Sequence, residues 1–394
     1  MSDTTTLLRP RDGESAARVT NIELFFDLVF VFAITQLSAT LRHELSVPGA
    51  LQAALLFLAV WYVWISTSWV TNWLDPERWP VRMFLLVFTL AGLALSASLP
   101  RAFGERGLGF AGAYVAMQFG RSLFMLWALG HDHPANRRNF QRITVWLGGA
   151  GLFWLAGGWF EAARPWLWGT GLALDYAGPA SGFVVPGFGR STSRDWDVAG
   201  GHLAERCGLF VLIALGESVL VTGVAASDLP VTGARVLAFA LAFAGTSAMW
   251  WLYFDTGAEA GSARISESDD PGHLARLAYT YLHLVIVAGI ITGAAGNELL
   301  LAHPLDVGEP QAWTTLLGGP FLFLLGALAF KWAAKGWPPL SHLAGIAGLG
   351  GLAALETFAH PLAELNLSAA ATAILVLTAA WESLSLRGVF QSRP

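Results

Sequence analysis

An all-α membrane protein of about twelve transmembrane helices, arranged as two parallel six-helix repeats, is the fold class predicted by this 394-residue sequence. Three observations predict it. The chain is 55% hydrophobic and only 13% charged, whereas soluble domains carry about 25% charged residues. Apolar stretches of membrane-crossing length recur along the whole chain, and Lys and Arg fall unequally on the two sides of those stretches.

The composition leaves too few charges to cover a water-facing surface, and 18 Trp with 25 Phe suit the hydrocarbon region and its headgroup boundary. With Cys207 as its single cysteine the chain forms no internal disulfide. A net charge of -5 without any long basic run argues against nucleic acid as a partner.

A helix crosses the hydrocarbon with about 20 apolar residues. Candidate spans lie near 22-41, 49-71, 80-99, 108-130, 143-160, 164-185, 203-225, 231-253, 275-296, 312-334, 340-358 and 367-386. Residues 1-21 read as a retained cytoplasmic tail with Arg9, Arg11 and Arg18, followed by a first half over 22-190 and a second over 191-394. Sixteen Lys and Arg fall on the side of the amino terminus against five on the other, which places both termini in the cytoplasm of a multi-pass inner-membrane protein. The longest loops are 186-201 and the acidic 255-274, with Glu267, Asp269 and Asp270, too short for a soluble catalytic domain. No G-x-x-x-x-G-K-[ST] loop occurs, and no cofactor is implied.

The two halves show signs of an internal duplication. Aligning Glu23 with Glu205 sets Gln36 against Ser218, and the next spans end alike, with Trp73-Leu74-Asp75 against Tyr253-Phe254-Asp255. Ala91-Gly92-Leu93 then matches Ala288-Gly289-Ile290. Six spans per half make the repeats parallel, related by an axis along the membrane normal, an arrangement that commonly places a transport path between halves.

The string Asn21-Ile22-Glu23-Leu24-Phe25-Phe26-Asp27-Leu28-Val29-Phe30 closely resembles the opening signature of the bacterial low temperature requirement A family. The second half agrees through His202-Leu203-Ala204-Glu205-Arg206-Cys207-Gly208-Leu209-Phe210, Leu215-Gly216-Glu217-Ser218 and Trp251-Leu252-Tyr253-Phe254-Asp255. The resemblance implies a name and a polytopic helical fold more than a mechanism.

An ionisable side chain within the hydrocarbon requires a partner, a water-filled cavity or a function. Glu23, Asp27, Glu205 and Glu217 stand against Arg121 and Arg206, an acidic excess that suits a small cation or proton. Glu23 and Asp27 share a face in the first turns of the first helix, where the helix dipole favours carboxylates. Arg121 lies about 13 Å into its span and Asp27 about 8 Å into its own, so the two are expected to meet, with Gln118 one turn from Arg121 able to join them. A packing lock is the other reading of that pair.

In the seventh span His202 and Arg206 are four apart, and Glu217 lies three turns further along the same face, beside Ser218. Glu217 is thereby expected near mid-bilayer, placed either to take up and release a proton or to stay protonated as a hydrogen-bond donor. His202 with Glu205 falls short of a zinc site, so no metal is expected. Asp75 and Asp255 are secondary candidates on the strength of their repetition. His283 reads as a satisfied core histidine, and the Trp61, Trp64, Trp69, Trp73 stripe as packing and interface anchoring.

The function these features favour is passage of a small cation or proton, or of a cation-coupled solute, between the halves. Two other readings stay open. One is a membrane-embedded enzyme acting on lipid or isoprenoid with His202 and Glu205 or Glu217 as acid and base. The other is a membrane signalling or scaffold protein whose buried polar pairs are structural. The partners implied are the lipid bilayer and that small ion, and a homo-oligomer is open.

Overall fold

The computed structural model describes residues 6–9, 18–192, 199–255, 271–359 and 362–386. The acidic residues Glu267, Asp269 and Asp270 fall outside them. Among the described residues the regular structure is helical apart from isolated bridges. In chain order the long helices are α1 (Asn21–His43), α2 (Val47–Thr71), α3 (Trp79–Ser98), α4 (Gly107–Ala128), α5 (Pro134–Trp159) and α6 (Arg164–Ser181). They continue with α7 (Gly200–Asp228), α8 (Gly233–Phe254), α9 (Arg276–Ala302), α10 (Pro310–Lys335), α11 (Leu340–Ala359) and α12 (Glu364–Leu386).

Local chemistry sets many of the helix ends. Glu23 makes the return half of a capping box at the start of α1, its Oε2 accepting from the Thr20 amide at 2.9 Å. Ser46 caps α2 through the Gly49 amide, and Thr232 caps α8 through the Arg235 amide. Pro134 starts α5 in the first turn, where its missing N–H costs nothing, so the helix begins nine residues ahead of the expected 143. Gly182 and Gly336 close α6 and α10 in the left-handed region, at φ 69° and 86°. The first seven residues of α9, Arg276–Leu282, are wound as a π-helix.

Among the described residues nine helices are long and apolar enough to cross a membrane: α1, α2, α3 and α7 through α12. α4, α5 and α6 are not among them. Gln118 and Arg121 lower the hydropathy of α4, the Asn136 to Arg142 stretch does so in α5, and α6 has 18 residues including Asp175 and two prolines.

The chain divides into two compact units, one built mainly from α1 to α6 and the start of α7 through Arg206, the other mainly from Cys207 onward. In the first, α4 packs on α3 and α5, α5 on α6, and α2 on α4 and α6. Its interior is aromatic: Phe110, Tyr114, Trp154 and Trp168 form a buried cluster, with Tyr114 and Trp154 centroids 4.4 Å apart. Trp61, Trp64 and Trp73 are buried in this unit as well, not spread along a lipid boundary. In the second unit α10 packs on α9, α11 and α12, α11 on α12, α8 on α9, α10 and α12, and α9 on α12, so the five neighbour pairs of the first unit recur with three more added. Residues 6–9 are docked on the first unit: Leu8 bridges to Leu74, and the Arg9 amide donates to Trp73 O at 2.8 Å.

Candidate functional site

The first unit contains a buried cluster of polar and ionisable groups drawn from four chain segments. Glu23 and Asp27 come from one face of α1, Thr71 and Asn72 from the end of α2, His202 and Arg206 from the first turns of α7, and Arg9 from the docked segment before α1. Glu23, Asp27, His202 and Arg206 are each 0% exposed, and Arg9 is 8% exposed.

Glu23 is the hub. Its Oε2 meets Arg9 Nη2 at 2.8 Å and the Thr20 hydroxyl at 2.8 Å, and its Oε1 meets His202 Nε2 at 2.8 Å and Arg206 Nη1 at 3.2 Å. Arg206 Nη1 also donates to Thr71 Oγ1 at 3.2 Å, while Nη2 reaches Asp27 Oδ1 at 2.6 Å. Trp64 Nε1 donates to the same Asp27 oxygen at 2.7 Å, and the Arg206 guanidinium lies 5.9 Å from the centre of the Trp64 ring. Arg9 Nε is fixed by the carbonyls of Thr71 and Leu74, both at 2.9 Å.

Both ring nitrogens of His202 are engaged. Asn72 exchanges hydrogen bonds with Ala199, its Nδ2 donating at 2.8 Å and its Oδ1 accepting at 3.0 Å, so the amide orientation is set. The same Nδ2 lies 3.2 Å from His202 Nδ1, while Nε2 faces Glu23 Oε1 at 2.8 Å and Arg9 Nη2 at 3.3 Å, so a proton on Nε2 serves Glu23 and a lone pair there serves Arg9. Two guanidinium groups face two carboxyl groups. Asp27 Oδ2 and Arg206 Nε are buried there without a hydrogen-bond partner among the described residues.

The expected pairing of Arg121 with Asp27 or Glu23 is corrected by this geometry, because Arg206 occupies the position opposite Asp27. Among the described residues no carboxylate lies within salt-bridge distance of Arg121. Its guanidinium donates to Gln118 Oε1 on its own helix, to Thr67 Oγ1 at 3.3 Å and to Val63 O at 3.5 Å on α2. Gln118 continues to Tyr114 at 3.1 Å, and the Tyr114 hydroxyl donates to Asp175 Oδ2 at 2.7 Å, which also accepts from Trp154 at 2.9 Å.

The other candidates lie apart from the cluster. Glu205 is exposed on α7 and accepts from the Val19 amide at 3.1 Å, so it is not a buried acid. Asp75 holds the turn after α2 through the Glu77 amide and Arg78. Asp255, at the end of α8, is exposed and accepts from Trp251 and Ser383. Glu217 and Ser218 are buried on α7 in the second unit, where Ser218 Oγ meets Thr246 Oγ1 at 3.2 Å. His283 has both ring nitrogens engaged, by Tyr253 and by Ala278 O. Among the described residues no three His, Cys, Asp or Glu side chains gather as a metal site.

Sequence reasoning missed Arg9, Trp64, Thr71 and Asn72 in the cluster, and Asp175, Lys331, Glu356 and Glu382 among the buried ionisable groups. The T-x-x-E capping box was the available signal for how Glu23 is held. Trp64→Phe keeps an aromatic ring at a buried position and removes one of the two donors on Asp27 Oδ1. A loss of about 1.5–3 kcal/mol, typical of a hydrogen bond to a charged group, is expected in thermal unfolding of the detergent-solubilised protein.

Long apolar helices enclosing a buried cluster of ionisable groups define an integral, multi-pass membrane protein. The chain belongs to the bacterial low temperature requirement A (LtrA) family, whose pattern matches residues 18–380. It is similar to the uncharacterized protein RA0937 of Rhizobium meliloti (strain 1021), 41% identical over 373 residues that cover 94% of this chain and 90% of that protein. No solved structure matches it.

Proposed function

We propose that this LtrA-family protein passes a small cation or proton, or a cation-coupled solute, across the bacterial inner membrane, with the Glu23–Asp27–His202–Arg206 cluster as its ionisable centre. The observation that carries the reading is Asp27 Oδ2, a buried carboxylate oxygen that no donor meets among the described residues. Such an oxygen is costly to leave bare, so it is where a proton or cation gains most on arriving. Its partner oxygen is held by Arg206 and Trp64, which keeps the free oxygen in a fixed position. Glu217, 2% exposed, is a buried carboxyl of the second unit.

The recurring neighbour pattern of the two units supports descent from a duplicated six-helix element. On that reading α4, α5 and α6 cross the membrane with the rest, their polar residues covered by one another, and the Lys/Arg bias places both termini in the cytoplasm.

Purified protein in proteoliposomes, with K⁺, Na⁺ or H⁺ gradients imposed in turn, tests the reading. Wild type should carry at least one of the three ions. Asp27→Asn preserves an acceptor for Arg206 and Trp64 but cannot ionise, and it should cut that flux by about tenfold or more, the equivalent of about 1.4 kcal/mol on the barrier. Asp27→Glu should retain part of it. No flux of any of the three ions, or full flux in a folded Asp27→Asn variant, removes the proposal. A purely structural membrane protein is the second reading, favoured by the balance of Arg9 and Arg206 against the two carboxylates, and it predicts no flux at all.

A further inference from the structure

Within the second unit lies a cavity of about 30 Å³ between α7, α8, α9, α10 and α12. That is room for about one or two waters, or for one small ion with a water. Its polar lining is Ser218, Thr246, Asn297, Ser368 and Thr372, with no carboxylate, Lys or Arg.

The hydrogen bonds of these side chains decide what the lining offers. Thr246 spends its hydroxyl proton on Ala242 O at 3.0 Å, so Ser218, 3.2 Å away, is the donor to Thr246. Thr372 turns its proton to Leu241 O at 3.5 Å. Three hydroxyl oxygens therefore have their protons engaged by the protein and lone pairs to spare. Ser368, 4% exposed, and the Asn297 amide make no side-chain hydrogen bond among the described residues. Leu316 and Pro320 of α10 also line the space, and Pro320 has no N–H to return to the Leu316 carbonyl four residues back. The cavity is thus rich in acceptors, and neutral oxygens of this kind replace the hydration shell of a monovalent cation in membrane proteins. A divalent ion would require carboxylates that the lining lacks.

We infer that this cavity is a binding site for a partly dehydrated alkali-metal cation, Na⁺ or K⁺, held by Ser218, Thr246, Asn297, Ser368 and Thr372. A role for the site in passage rests on the cation-passing reading above, whereas binding itself does not. The occupant is set by acceptor chemistry and size: against the oxygens of five side chains an anion meets free donors only at the Ser368 hydroxyl and the Asn297 amide, and an organic cation exceeds the volume.

Thermal unfolding of the full chain in detergent, titrated with NaCl or KCl against N-methyl-D-glucamine chloride at constant ionic strength, tests it. NaCl or KCl should raise Tm saturably while the organic salt does not. Ser368→Ala and Asn297→Ala each remove a ligand and should raise the half-saturating concentration by about tenfold or more. Gly245→Ala tests the same space without removing an oxygen, since its methyl would stand 3.4 Å from Thr372 Oγ1, and it should weaken the response likewise. Equal response to all three salts, or an unchanged titration in folded variants, overturns the site and leaves a water-filled cavity. A saturable Na⁺ or K⁺ response with no flux in proteoliposomes keeps the site and removes the transport reading. Flux without that response does the reverse.

Discussion

Replacing Arg206 by Met should lower the stability of the detergent-solubilised protein by about 3–5 kcal/mol, the usual cost of stripping one partner from a buried ion pair. Arg206 joins both carboxylates of the cluster, at 3.2 Å to Glu23 and 2.6 Å to Asp27, from a side chain with no exposure. Glu23 would keep Arg9, the Thr20 cap and His202, so the uncompensated charge falls on Asp27, which is left with Trp64 alone. The double variant Arg206→Met, Asp27→Asn should therefore recover a substantial part of the loss, because it removes the stranded charge together with its partner. Arg121→Met should cost less, since Arg121 faces hydroxyl, amide and carbonyl oxygens and no ion-paired carboxylate among the described residues. Thermal unfolding of the four proteins side by side checks the ranking. An Arg206→Met variant as stable as wild type, or a double variant no better than the single one, would refute the picture of a charge-balanced lock.

The contrast between Arg206 and Arg121 shows how far the sequence could be read. Counting residues along a helix gives depth, and depth made Arg121 eligible to meet Asp27, while Arg206 was read only beside His202 on its own helix. Which one does so depends on helix rotation and on which helices are neighbours, and a single sequence carries little of either. Arg9 was invisible for a related reason: a basic residue before the first span looks like a solvated tail, and nothing local announces that its guanidinium is received by the carbonyls of Thr71 and Leu74. His202 and Arg206, four apart on one face, were legible as a pair, and so were Glu23 and Asp27, because helical periodicity alone brings each pair together. Trp64 looked like one more member of an aromatic stripe, yet its indole N–H is a donor on Asp27. The apolar spans were the most legible feature, since the bilayer imposes their length. The ends were less so where a proline, as at Pro134, extends a helix beyond its apolar part.

Gly319→Ala should produce the second large effect, by forcing apart two helices whose backbones touch. α9 presents Gly289, Gly293 and Gly296 on one side, and α10 meets them with Gly319 and Gly326. A methyl at Gly319 would run into the backbone N of Gly293, stand 2.5 Å from its Cα and lie 3.0 Å from Gly289 O. At Gly289 the obstacles are again backbone, with Gly319 O and Phe323 Cα both at 2.8 Å, and at Gly326 it is Ile286 N at 2.7 Å. No rotamer change relieves a backbone clash, so the helices must separate and surrender the close packing that small residues provide in a membrane. The overpacking cost is about 1–3 kcal/mol and falls at the upper end because both sides are rigid. Gly350 on α11 has nothing within 4 Å of an added Cβ, so Gly350→Ala should instead stabilise by about 0.5–1 kcal/mol, the usual helix-interior gain over glycine. Opposite signs from one chemical change are the expected result in thermal unfolding. If Gly319→Ala and Gly350→Ala shift Tm alike, α9 and α10 do not approach as closely as these glycines imply.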